Sequence, residues 1–214
     1  MITLYHCMSA RSFRALWALE ELGLDYELMM LPFPPRIFKK EYLSINPLGT
    51  IPAFFDGDTF MTESSAIAQY LAERYGQGKL NIPVDDARYG AYLNWLHFGE
   101  ATLTFPQTLV LRYTRLEPEQ RRVPQVAEDY KKWFLGRLRA VESSLEKTSP
   151  WLLGDTFTAA DISVAFALML AENLKMAGEF GPQTRSYWER VQQREGFKRA
   201  LKRQQEEATA QGVS

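Results

Sequence analysis

The hydrophobic period of the chain changes near residue 80, from alternating strand and helix patterns to helix alone. A sheet can therefore form only in the first part, and the remainder must close a helical core. Ile2 to His6 is a short β-rich run. Ser12 to Leu22 then sets Phe13, Leu16, Trp17 and Leu19 at helical spacing, and Gly23 closes that helix. Leu24 to Leu31 reads as a second strand, so these segments make a β-α-β unit with a parallel pair and a crossover helix. A proline-broken stretch from Pro32 to Arg36 leads into a short helical segment ending near Ile45. Ile51 to Asp56 and Thr59 to Thr62 read as strands joined by a turn at Asp56-Gly57-Asp58. Ser64 to Arg74 is a second helix, with Ile67, Tyr70 and Leu71 on one face.

The order β-α-β followed by β-β-α is the split pattern of a thioredoxin-like unit. Gly76 to Asp86 carries two glycines, a proline and paired aspartates, which is linker chemistry. Beyond it Arg88 to Phe105, Gln125 to Leu145, Thr158 to Leu174 and Ser186 to Arg194 read as helices, and Gln204 to Ser214 as a frayed polar tail. The expected fold is α/β plus all-α. A thioredoxin-like β-α-β-α-β-β-α domain spans residues 1–80, and an all-helical domain spans 87–214. Composition narrows the function. With 25 Lys+Arg against 26 Asp+Glu, no basic surplus exists to neutralise nucleic-acid phosphates or anionic lipid. One cysteine excludes an internal disulfide framework, and with only two histidines no metal site is expected. No secretory signal or membrane span is read, so a soluble, cytoplasmic protein is expected.

Three segments of the first domain carry a more specific signal. Asn46-Pro47-Leu48-Gly49-Thr50-Ile51-Pro52 is a loop entering a strand, Thr62-Glu63-Ser64-Ser65-Ala66-Ile67 opens a helix, and Ser9 to Arg14 precedes the first helix. Gly154-Asp155-Thr156-Phe157-Thr158-Ala159-Ala160-Asp161 adds a capping-box pattern in the second half. Together these resemble the cytosolic glutathione transferases of the bacterial kind, over nearly the whole chain. The resemblance implies an enzyme with glutathione as co-substrate, a hydrophobic electrophile as second substrate, and a homodimer. It also implies that the helical domain supplies an apolar pocket, drawn from the aromatic-rich region of Tyr92, Trp95, Leu96, Phe98, Leu103, Phe105 and Tyr113.

The residues fit that chemistry individually. In the family the Ile51-Pro52 bond is cis, and the backbone of Ile51 pairs with glutathione like an added strand, with Thr50 and Pro52 beside it in the binding loop. Ser64 stands at a helix N-terminus, where free N–H groups attract the γ-glutamyl carboxylate, while Glu63 meets the ammonium. Lys39 or Lys40 lies where related enzymes place a cation for the glycyl carboxylate. A free thiol has a pKa of ~8.5, and lowering it by ~2 units takes roughly 2.7 kcal/mol of differential stabilisation. A helix N-terminus and a hydroxyl donor can supply it. Counted back from Arg14, Ser9 falls on the catalytic serine of theta- and phi-like transferases, and Cys7 where omega-like enzymes hold a cysteine. Ser12 is a third hydroxyl, more simply a first-turn residue, and Arg11 a possible nearby charge. Ser9 is the preferred donor. A redox-active Cys7 would mean a glutathione-dependent lyase, isomerase or disulfide reductase instead, and loss of chemistry altogether would leave a binding or scaffold protein.

Overall fold

Alternation along β1 (Ile2–His6) buries Ile2, Leu4 and His6 on one face and turns Thr3 and Tyr5 to the other. β2 (Tyr26–Met30) runs parallel to β1, while β3 (Ala53–Asp56) and β4 (Thr59–Met61) are antiparallel, giving the sheet order β2-β1-β3-β4. The crossover between β1 and β2 is α1 (Phe13–Leu22), buried from Phe13 through Leu19. Gly23 ends it at φ +65°, returning its N–H to the Leu19 carbonyl. A short helix α2 (Pro35–Phe38) and a 3-10 turn (Lys40–Ser44) precede β3, and α3 (Ser64–Tyr75) follows β4 and packs on α1. On the opposite face of β1 Tyr5 meets Tyr42 and Phe55, with ring centroids 5.6 Å and 6.2 Å away.

This computed structural model describes residues 1–213, and packing groups them into two units. One is Met1–Asn81 together with the chain from Gln192 onward; the other is Ile82–Val191. The expected single helical domain over 87–214 therefore differs from the packing at its end, and the expected frayed tail from Gln204 is, through Ala210, the second half of a helix, α9 (Glu195–Ala210). Phe197, Ala200, Gln204 and Ala208 recur at helical spacing and are all buried. Phe197 fits edge-on against Phe13 and Trp17, at 5.7 Å and 5.0 Å between centroids. Arg194 pairs with Glu21 through two bonds of 2.8 Å. Beyond α9, the Gln211 amide donates to Leu28 O and accepts from Met30 N, covering the exposed edge of β2 as a missing strand would.

The second unit is helical: α4 (Tyr89–His97), α5 (Phe105–Leu111), α6 (Pro124–Thr148), α7 (Ala159–Asn173) and α8 (Pro182–Gln192). The single helix expected over Arg88 to Phe105 is not continuous. Phe98–Thr104 widens to π geometry before α5, where Pro106 has no N–H to return to the preceding turn. Gly99 lies so close to α7 that an added Cβ would come within 2.4 Å of Ser163 Oγ. α7 is buried along nearly its whole length. Its capping box is formed as expected: Asp161 accepts from the Thr158 N–H at 2.9 Å, and also from the Leu152 N–H and the Tyr187 hydroxyl. Among the described residues no helix is long and apolar enough to cross a membrane, and no group of three or more His, Cys, Asp or Glu side chains could hold a metal ion.

Candidate active site

The turn between β1 and α1 brings the sulfur-facing candidates together, and one hydrogen-bond chain assigns their protons. Ser9 stands at φ +51°, in the left-handed region that a serine enters only when held there. Its N–H donates to Oε1 of Gln204 at 3.0 Å. A backbone N–H can only donate, so the Gln204 atom it meets is the carbonyl oxygen. That same oxygen lies 3.0 Å from His6 Nε2, which must therefore carry the ring proton. His6 Nδ1 is left as an acceptor, and the Ser12 hydroxyl 2.7 Å away donates to it. Burial pushes the His6 pKa down to about 4, against a smaller upward pull from Gln204, so the ring is neutral near pH 7.

This chain separates the three candidate residues. The Ser12 proton is committed to His6, and its oxygen receives the Cys7 N–H at 3.4 Å, so Ser12 has no proton to offer a ligand. Cys7 is fully buried, and burial raises its thiol to about 12. It therefore stays protonated, with its S–H directed at Pro32 O at 3.7 Å. Ser9 is only half-buried, and among the described residues its hydroxyl has no partner. The first N–H groups of α1 are spent within the turn, Phe13 on Ala10 O at 2.8 Å and Arg14 on Arg11 O at 3.2 Å, so what α1 offers here is the positive end of its dipole.

The second segment is shaped by its asparagine and glycine. Asn46 is buried, and its amide donates to Thr50 O at 2.8 Å while its carbonyl receives the Leu48 N–H at 3.2 Å. Tyr42 adds a second donor to Thr50 O at 2.7 Å. Gly49 stands at φ +61°, and a Cβ there would fall 2.6 Å from that of Arg36, so only glycine fits. The Ile51-Pro52 bond is cis. The ladder between β1 and β3 starts at Ala53, which leaves the Ile51 backbone outside the sheet. Ile51 packs in one cluster with Cys7, Tyr42 and Ala53, tying this loop to the turn that carries Ser9.

The third segment opens α3. Glu63 is the extended residue before the helix and is exposed, while Ser64 is the first helical residue and is buried. The first helical bond runs from Ile67 N to Glu63 O, so the N–H groups of Ser64, Ser65 and Ala66 face outward from the helix end. Arg14, fully buried on α1, donates to Ser64 Oγ at 3.1 Å and places a positive charge beside that end. Lys39 stands apart from this group. It is exposed at the end of α2 and lines a hollow of about 650 Å³ with Glu41, Tyr42 and Gln211. Lys40 is exposed at the start of the 3-10 turn.

Sequence reasoning missed two residues here, Arg14 as a partner of Ser64 and Gln204 as a partner of Ser9. The only sequence signal for the latter is the recurrence of Phe197, Ala200, Gln204 and Ala208 at helical spacing. The aromatic-rich region of the second unit divides by exposure. Tyr92, Leu96 and Leu103 are core, Trp95, Phe98 and Tyr113 are half-buried, and Phe105 is 54% exposed. His97 is exposed on α4.

Known proteins carry the same layout. Residues 1–73 match the sequence model of the glutathione S-transferase N-terminal domain, and residues 107–204 that of its C-terminal domain. A glutathione S-transferase of Hypomyces subiculosus is 32% identical over 202 residues, covering 87% of this chain and 92% of that protein. One from Hyoscyamus muticus is 31% identical, covering 81% and 83% respectively. Among solved structures, a glutathione transferase from Methylococcus capsulatus aligns over 95% of this chain and 98% of its own, with a TM-score of 0.82 at 28% identity. A Phanerochaete chrysosporium glutathione transferase in complex with oxidized glutathione aligns over 96% of each chain, with a TM-score of 0.83 at 28% identity.

Proposed function

The chain belongs to the glutathione S-transferase family, and from that premise we propose that Ser9 holds the glutathione sulfur as a thiolate for attack on a hydrophobic electrophile. The protein is a glutathione transferase, with glutathione as co-substrate. The reading of the site is carried by one observation: of the three side chains beside the first helix that could meet the sulfur, only the Ser9 hydroxyl is uncommitted. A hydrogen bond from it to the sulfur, with the N-terminal end of α1, favours the charged form of the thiol.

The rest of glutathione then has defined places. The Ile51 backbone, outside the β1–β3 ladder, pairs with the cysteinyl backbone as an added strand, with Thr50 and Pro52 shaping the approach. The γ-glutamyl carboxylate sits at the N-terminus of α3 on Ser64, where Arg14 adds a positive field, and Glu63 receives the ammonium. Lys39, exposed and lining a hollow together with Tyr42, serves the glycyl carboxylate. The thiolate attacks an electrophilic carbon, a C–S bond forms, and either a leaving group departs or the adduct takes up a proton. The protein contributes alignment of the two reactants and a fixed electrostatic environment. The half-buried aromatic side chains Trp95, Phe98 and Tyr113 suit an apolar second substrate. A homodimer in the cytoplasm completes the proposal.

Capture on immobilised glutathione followed by turnover assays tests this reading. Conjugation of a generic aryl halide without reduction of a small glutathione mixed disulfide is the expected pattern. Disulfide reduction that is lost in Cys7→Ala would overturn it.

A further inference from the structure

Gln204 lies far from Ser9 in sequence yet supplies the acceptor for its backbone N–H. The side chain is buried on α9, and its oxygen is fixed from two directions, by the Ser9 amide and by His6 Nε2, both at 3.0 Å. His6 is in turn fixed by Ser12, so the oxygen cannot drift without breaking a chain of three bonds. The backbone of the last helix is held as well, by Phe197 between Phe13 and Trp17, by the Arg194–Glu21 pair, and by Gln211 on the edge of β2. The residue at the receiving end has φ +51°, a conformation that a serine leaves when nothing holds it. Rotation away from it swings Cβ, and with it the hydroxyl, to a new direction.

We propose that Gln204 is a positioning residue for the transferase reaction, holding Ser9 in its left-handed conformation so that the hydroxyl faces the glutathione sulfur. The proposal rests on the assignment of Ser9 as the sulfur's donor. It gives the C-terminal helix a role in the reaction that its distance in sequence from the motifs of the first unit conceals. Gln204 touches neither reactant; it acts through one backbone bond.

The test compares Gln204→Met, which keeps the bulk of the side chain and removes the oxygen, with Ser9→Ala and the double variant. The readouts are the pH–rate profile for aryl halide conjugation and the KM for glutathione. Gln204→Met is expected to raise the bound-thiol pKa by about the shift seen in Ser9→Ala, on the order of 1–2 units, with glutathione KM within about twofold of the parent. In the Ser9→Ala background it should add no further shift. Gln204→Glu, which restores an acceptor oxygen, should recover most of the effect. Should Gln204→Met not fold, Gln204→Asn withdraws the same oxygen and carries the same expectation. A profile moved by Ser9→Ala but not by Gln204→Met overturns the positioning role. So does a Gln204→Met variant whose only defect is a lower melting temperature. A profile that Ser9→Ala leaves unmoved rejects the Ser9 assignment, and this proposal with it.

Discussion

Gln204 Oε1 accepts from the Ser9 amide and from His6 Nε2, and His6 Nδ1 accepts from Ser12, so protonation of His6 would set two donors against each other. The folded-state pKa of about 4 lies below the ordinary 6.5. The unfolded chain therefore takes up a proton first as pH falls. Stability from this group is full above about pH 6.5 and is lost as pH drops through 4, amounting to roughly 3 kcal/mol when complete. Urea denaturation at a series of pH values should show that slope in the parent and lose it in His6→Gln; parallel slopes would contradict the buried neutral imidazole. Glu63 is a simpler case. It is exposed, so its pairing with the glutathione ammonium is partly screened, and Glu63→Ala should weaken glutathione binding by about 1 kcal/mol. Fluorescence titration with unchanged affinity would remove Glu63 from the site. The sequence places Ser9, Cys7 and Ser12 beside one helix start and prefers Ser9 only through its match to the theta- and phi-like position. Which of their protons are already committed is invisible to it, because that depends on a partner as remote as Gln204.

The secondary-structure elements of residues 1–81 are legible because their signals are local. Gly23 closes α1 at a positive φ, and the alternation of Ile2–His6 fixes which face of β1 is buried. The capping box before α7 is equally local, with Thr158 and Asp161 three residues apart. Two elements were not read correctly, for different physical reasons. The helix expected over Arg88 to Phe105 widens ahead of Pro106, which the apolar spacing alone does not reveal. The second half of α9, from Gln204, looks like a frayed tail in sequence because the buried positions there are a glutamine and an alanine, which carry little hydrophobic signal; the apolar anchor, Phe197, lies upstream. That phenylalanine anchors the element. Phe197→Ala should cost about 3–4 kcal/mol, since a ring packed on two aromatic side chains leaves a cavity in its place. Calorimetric melting is the check; a change below about 1 kcal/mol would mean that α9 is held mainly by its polar contacts.

At the scale of the whole molecule, the features that the proposal assigns to glutathione all lie in the first unit. The cis Ile51-Pro52 loop is clamped by Asn46 and Tyr42, the N-terminus of α3 is open beside Arg14, and Ser9 is held with a free hydroxyl. The two-part architecture follows from the change of period near residue 80, but the return of the chain to the first unit does not, because it depends on tertiary packing alone. Catalysis by such a molecule comes down to the ionisation of a thiol that belongs to the ligand. A charge-assisted hydrogen bond contributes ~1.5–3 kcal/mol, equivalent to ~1–2 pKa units on that sulfur. The most direct measurement is an ultraviolet difference titration of the thiolate of bound glutathione in the parent and in Ser9→Ala. The parent should show a bound-thiol pKa well below ~8.5, and Ser9→Ala should raise it by ~1–2 units while leaving glutathione affinity nearly intact. Identical titrations in the two proteins would contradict the account.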